Sequence, residues 1–470
     1  MAELLEGSRL LLAIGLPWLA GSLLIRALPL SSSALPQSVV LGYGYFLGML
    51  LVGLLLRLSD ALGLGIGFVF PVALLLVISA AAYGKSRSNA APSGPQGQHW
   101  RDLDRVTRAL IVLLVAYLVA RYAQIWLDIM WRPLVAWDAW TNWAPKAKVW
   151  FYEGRLVDFV APGKWLLAET WSEVRTLVTW RYPEAVPLSQ LWMALAVGHW
   201  DDLSINLPWF FCAPALGLAL FGQLRVVGVT SPLALSACAV LLMLPFFNVH
   251  TYLAGYADIW MAAWLCLAAM ALWNHARRPD REQLWLFWIS TVACTQIKVP
   301  GLPLALFLVA ALVLSQLPAR RFWILLAASI VLTGSIFLVG IDWTVPGLGR
   351  IVVDGQGIML PFIGEYQLEF HDVSPAVLAN IFLLGNWHIL WYVLPVALLW
   401  LPGLAHRSQV ATGVVMLLSY FLVFGVFFFT GRYTDAVNYS SLSRATLYLV
   451  PLSIYWFAYL YAARGEHKGL

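Results

Sequence analysis

Apolar runs of about twenty residues, separated by short polar or basic stretches, recur along the whole chain. Twenty residues of helix reach about 30 Å, the hydrocarbon thickness of a bilayer. The pattern therefore predicts an all-α polytopic membrane protein. About 13 transmembrane helices are expected, at 9–28, 37–57, 63–83, 106–127, 205–222, 231–247, 257–275, 283–297, 301–317, 320–339, 388–403, 409–429 and 445–462. The stretch "AVPLSQLWMALAVG" (185–198) is short for a span and contains Pro187, so it reads as an interfacial or re-entrant helix. A second interfacial helix is expected in "VSPAVLANIFLLGNW" (373–387). These lie in two long outer loops, 128–204 and 340–387.

The basic segments decide orientation, because Lys and Arg collect on the cytoplasmic side. Segments 85–105, 274–281, 318–321, 405–407 and 463–468 are basic, and thirteen spans place all five on one side. The N-terminus is then outside and the C-terminus inside. Residues 85–100 are Gly, Pro and Ser-rich and read as a flexible cytoplasmic linker. They divide a three-span N-terminal unit (1–105) from a larger transmembrane module (106–470). No repeat of fixed period is visible.

Composition agrees. Of 470 residues, 61% are hydrophobic and 11% charged, against about 25% charged in soluble proteins. The 25 Trp and 18 Tyr suit interfacial belts. The net charge of +5 follows from the cytoplasmic loops and gives no sign of nucleic acid. Cys212, Cys238, Cys266 and Cys294 lie in apolar runs without a CxxC pair, so neither a disulfide framework nor a zinc site is expected. The N-terminus has no basic n-region or cleavage site, so no removable signal peptide is expected.

Ionisable groups in or beside spans are costly and mark function. On this topology Asp138, Lys146, Lys148, Arg181, Asp258, Lys298 and Arg444 all fall on the outer side, at or beyond helix ends. Asp138 lies in "WDAW", amid Trp137, Trp140 and Trp143, and Asp258 in "GYADIW". A carboxylate at such depth serves as a general base or a ligand to a hard cation, and Asp258 has a competing claim as a helix N-cap. Lys298 ends one span in "TQIKVPG" and Arg444 opens the last in "SSLSRATLYLVP", where each either snorkels or grips a lipid phosphate. Lys146 and Lys148 stand two apart, so at most one faces a shared ligand. Arg181 and Tyr182 begin "RYPEAVPL", a segment suited to turn over a site. His250 and His388 read as hydrogen-bonded structural histidines.

The order "WDAW", "RYPEAVPL", "GYAD" and "KVPG" resembles the GT-C superfamily of integral-membrane glycosyltransferases over residues 106–462. That superfamily uses polyprenyl-phosphate sugars and includes protein O-mannosyltransferase, lipid A aminoarabinose transferase and oligosaccharyltransferase. The resemblance implies Asp138 as the acid of the first outer loop, a catalytic base or part of the metal and acceptor site, and Asp258 as the acid of the second outer turn. Lys298, Arg444, Arg181, Tyr182, Lys146 and Lys148 are expected beside them as substrate-binding residues from their outer position. The resemblance implies a polyprenyl-phosphate sugar donor and a glycan, lipid or small-protein acceptor. It also implies inversion at the sugar, at the outer face of the cytoplasmic membrane. No cofactor is certain. The family's second outer turn often carries two acids whereas "ADIW" carries one, which weakens a divalent cation (Mg or Mn) on Asp138 and Asp258. The rival reading from another class is a transporter or flippase for a lipid-linked sugar, which needs cations and an apolar groove but no base.

Overall fold

The computed structural model describes residues 2–28, 35–88, 102–170, 173–346, 349–361, 363–398 and 407–468. It is mostly helical. In chain order the helices begin with α1 (Ala2–Ala27), α2 (Gln37–Ala61), α3 (Val69–Ser88) and α4 (Arg105–Trp131). After α4 come the shorter α5 (Ala144–Glu153), α6 (Pro162–Leu166) and α7 (Ala185–Val197). Next are α8 (Leu207–Val226), α9 (Ser231–Met243), α10 (Pro245–Tyr252), α11 (Asp258–Arg277), α12 (Arg281–Thr295), α13 (Gly301–Ser315) and α14 (Ala319–Val339). The chain closes with α15 (Ser374–Leu378), α16 (Leu390–Leu398), α17 (Arg407–Phe429), α18 (Tyr433–Val437), α19 (Leu442–Leu447) and α20 (Val450–Lys468).

Among the described residues seven helices are long and apolar enough to cross a membrane, or eight if the bent α9–α10 pair is one span. The pair turns by 62° where Pro245 follows Leu244. Each expected span meets a helix, although several are short. Both α12 and α13 have 15 residues, about 22 Å of helix at 1.5 Å per residue. The polar stretch 89–101 and residues 399–406, which include two of the three residues of the basic segment 405–407, lie outside the described residues.

Three expectations change. The Ala185–Val197 segment, expected as an interfacial or re-entrant helix, is a helix buried within the protein: Val186 to Ala194 are all covered, and it packs against α1, α2 and α5. Segment 340–387 is not simply a loop with a helix. It opens with an antiparallel meander of β1 (Ile341–Val345), β2 (Gly349–Val353), β3 (Gly357–Leu360) and β4 (Gly364–Gln367). Its turns hold the signals "VPGLG" and "DGQG", which mark hairpins. The helix expected after it is only α15 and a π-helical turn, Ala379–Leu383. Lastly, Arg444 does not open the final span but sits in the separate short helix α19.

Helix α11 is the centre of the bundle, with every residue from Asp258 to Asn274 buried. Helices α8, α12, α13, α17 and α20 surround it, and α2 packs along α8 and also reaches α11, where Tyr45 and Phe46 meet Trp260 and Trp264. The first helices join this core through glycines. A Cβ on Gly44 would overlap Ser22 and one on Gly48 the Pro17 carbonyl oxygen, so α1 and α2 meet backbone to backbone. Gly44 and Gly48 form the G-x-x-x-G spacing that permits close packing in membranes. A leucine at Gly48 should force these helices apart and lower stability by about 1–3 kcal/mol, the usual cost of overpacking. A leucine at Gly84, which faces open space, should not. Melting of both purified variants in detergent checks the difference.

Candidate active site

Helix α11 starts after Ala257, and no side chain caps it there. Asp258, its first residue, is turned instead towards three donors from two other segments. Lys298 Nζ donates to Oδ1 at 2.8 Å, and Tyr448 Oη donates to the same oxygen at 2.6 Å. Arg444 Nε donates to Oδ2 at 2.8 Å. Lys298 also donates to Tyr448 Oη at 3.1 Å. A carboxylate can stay ionised without water when both oxygens are satisfied by charged and hydroxyl donors, and here both are.

Asp138 completes the cluster from the other side. It precedes a π-helical turn, Ala139–Trp143, and its Oδ2 accepts from Arg444 Nη2. Its Oδ1 accepts from Asn142 Nδ2 at 3.2 Å. One planar guanidinium therefore links two acids 120 residues apart in sequence, a bridge that a lysine could not form. The guanidinium carbon also lies 4.6 Å from the centre of the Tyr256 ring, within cation–π range. Gly255 makes the approach possible. It holds φ 94°, and a Cβ there would collide with Ala139, so only glycine lets the turn before α11 lie against the Asp138 segment.

Access is graded across the cluster. Side-chain exposure is 0% for Asp258, 13% for Lys298, 16% for Arg444 and 19% for Asp138. Asp138 is thus the carboxylate that an incoming molecule meets, and Asp258 is sealed behind the cations. Two acids and two cations leave no net charge. Burial pushes the Lys298 ammonium below its ordinary pKa, with Asp258 pulling it back up. Burial also disfavours the Arg444 charge, but Asp258 and Asp138 together raise its pKa above the usual arginine value.

The other expected residues divide. Tyr182 lies beside the cluster, its ring 5.2 Å from that of Trp143. Lys146 does not face it: the buried ammonium donates to the Trp180 and Tyr182 carbonyls at 3.0 and 2.9 Å, tying α5 to the loop before α7. Lys148 is exposed and stands 5.6 Å from the Trp200 ring centre, as a spacing of two requires. Arg181 is exposed at the rim, over Trp180 and against Gly364 of the meander. His250 is buried between Phe246 and Tyr256, and its Nδ1 has no hydrogen-bond partner. Trp137 and Trp140 pack edge to face with each other on the surface, whereas Trp143 is buried.

A metal does not fit this arrangement. Arg444 already occupies the position between Asp138 and Asp258, and among the described residues no group of three or more His, Cys, Asp or Glu gathers. All four cysteines are free and buried. Tyr448, Asn142 and Tyr256 were not singled out from the sequence. Tyr448 had a signal, since it follows Arg444 by four positions and so falls on the same helical face. No family model, curated protein or solved structure matches this chain.

Removing Asp258 would leave two buried cations without a counter-charge. Asp258→Ala should destabilise the fold by roughly 3–5 kcal/mol. Tyr448→Phe, which removes one hydrogen bond to a charged group, should cost roughly 1.5–3 kcal/mol. Thermal unfolding in detergent would show the order; an Asp258→Ala protein as stable as the native chain would mean the cluster does not hold the bundle.

Proposed function

We propose that this chain is a membrane glycosyltransferase that moves a sugar from a polyprenyl-phosphate donor to an envelope acceptor at the outer face of the cytoplasmic membrane. The observation that carries the reading is the unequal access of two acids joined by one arginine. Asp258 orders Lys298 and Arg444; Asp138, at the open edge, is left to meet an acceptor hydroxyl. Family membership in the GT-C superfamily is part of this proposal and rests on the short motifs around these residues.

The reaction is a single displacement. The acceptor oxygen attacks the anomeric carbon, the carbon–oxygen bond to the lipid phosphate breaks, and the phosphate leaves with the electron pair. Asp138 takes the acceptor proton. In the free site Arg444 Nη2 is bonded to Asp138, so a donor phosphate that takes over that amino group both gains a charge-assisted contact and releases the base. Arg181 and Tyr182, at the rim, bind the donor from the loop side. Attack from the face opposite the phosphate inverts the sugar.

Thirteen spans, with the N-terminus outside and the cluster facing outward, remain the topology of this reading, supported by the sidedness of the basic segments. Under it the first outer loop carries Asp138 and the turn before α11 carries Asp258. A cysteine at Ser440, which is exposed, should react with an impermeant thiol reagent added outside cells. One at Ser86 should not. The reverse pattern would remove the outward-facing site.

The zero net charge of the cluster favours one rival, a flippase for a lipid-linked sugar, which needs a clasp for the headgroup and no base. Asp138→Asn keeps the shape and separates the two. A transferase should bind donor and transfer sugar at least about 100-fold more slowly, the lower end of general-base catalysis. Transfer from a radiolabelled lipid-linked sugar, with donor binding measured in parallel, is the assay. Near-native transfer by Asp138→Asn would discard Asp138 as the base.

A further inference from the structure

Helix α4 is, with α14, among the least covered of the long helices, and most of its side chains are exposed, so its surface faces lipid in the membrane reading. It nevertheless carries Arg121, ten residues before its end at Trp131. An arginine at that depth, about 15 Å along the helix, is costly unless something answers its charge. Arg121 Nη1 donates to Gln124 Oε1 at 3.3 Å, and no ion pair to it occurs among the described residues. Arg121 and Gln124 open on a cleft of about 340 Å³ between α4 and the start of α10.

The opposite wall has unmet polar capacity of its own. Asn248 on α10 lines the cleft, is 2% exposed, and its side-chain Oδ1 has no hydrogen-bond partner. His388, also at the cleft, holds φ 48°, a left-handed conformation that non-glycine residues seldom keep without cause. From these groups we infer that the cleft is a binding site for the headgroup of a lipid phosphodiester bearing a hydroxyl near its phosphate. One guanidinium matches the single negative charge of a phosphodiester, where a phosphate monoester would leave charge uncompensated. The hydroxyl donates to Asn248, and the acyl or prenyl chains run along the lipid-facing side of α4. Phosphatidylglycerol and a prenyl-phosphate-linked sugar both have this chemistry.

The cleft is separate from the ion cluster but shares an element with it. Asn248 and His250 lie two residues apart on α10, and His250 packs on Tyr256, whose ring lies beneath Arg444. Residues two apart on a helix face different sides, so Asn248 turns to the cleft and His250 to the ring beneath the cluster. The inference does not depend on transfer chemistry, since it is read by binding alone.

The test is native mass spectrometry of the full chain in detergent, titrated with phosphatidylglycerol, with a farnesyl-phosphate-linked hexose, with phosphatidylcholine and with inorganic phosphate. One or both of the first two should bind, and which one does names the source. Arg121→Ala, on a lipid-facing surface, should fold and lose tenfold or more of that affinity, as loss of a charge-assisted phosphate contact implies. Asn248→Ala should weaken the same lipid, and Asp138→Asn should leave its binding unchanged while abolishing transfer. Undiminished binding in Arg121→Ala, or inorganic phosphate or phosphatidylcholine binding as tightly as the preferred lipid, would overturn the site. Loss of transfer in Asp138→Asn with no lipid bound at Arg121 would sink this inference and leave the proposed function standing.

Discussion

The bundle depends on one buried carboxylate. Asp258 starts a helix covered on every side, where an ion without partners would be expelled, and its two oxygens are met by Lys298, Tyr448 and Arg444. Those partners come from the turn after α12 and from α19 and the residue just beyond it. Holding Asp258 in place thus fixes three otherwise separate parts of the chain at one point. Arg444 extends the fixation to the Asp138 loop. Under the proposed transferase reading, the sealed Asp258 would hold Lys298 and Arg444 in place while Asp138 stands at the open edge.

The opposite end of α11 is tied in a different way. Asn274 Nδ2 donates to Gln223 Oε1 at 2.5 Å and Tyr455 Oη donates to Asn274 Oδ1 at 2.5 Å. Gln223 reaches Tyr43 at 2.9 Å and Gln283 at 3.0 Å in turn. This network is neutral where the other is charged. Neutral amides tie α2, α8, α11, α12 and α20 together without an ion that could attract substrate. The same helix is therefore anchored at both ends, by ions at one and by neutral amides and hydroxyls at the other.

Much of this was readable from the residues. Apolar periodicity placed a helix at every expected span, and the cost of charge near membranes picked out Asp138, Asp258, Lys298 and Arg444, which the fold brings together. What failed did so for physical reasons. Lys146 has the same charge as Lys298, but sequence does not say that two loop carbonyls consume it. The meander at 341–367 was missed because a hydropathy window sees only its moderate polarity, although its turn residues announce hairpins. That the segment at 185–197 is covered on nearly every side by α1, α2 and α5 was not legible, because its length argued only against a span. The pairing of Arg444 with both acids was beyond reach, since 186 residues separate it from the nearer one.

Under the proposed thirteen-span topology, in which α12 and α13 both cross the membrane, their shortness bears on the lipid around them. At about 22 Å each, they fall some 8 Å below the mean hydrocarbon thickness of a bilayer. A bilayer meets such a deficit by thinning beside the short segments. Lys298 lies in the turn that joins them. In a membrane, the dimple would form next to that turn and bring headgroups down towards the ion cluster. Hydrophobic mismatch would then do part of the work of delivery: a lipid-linked phosphate could approach the site by following the lowered surface, without being drawn out of its own leaflet.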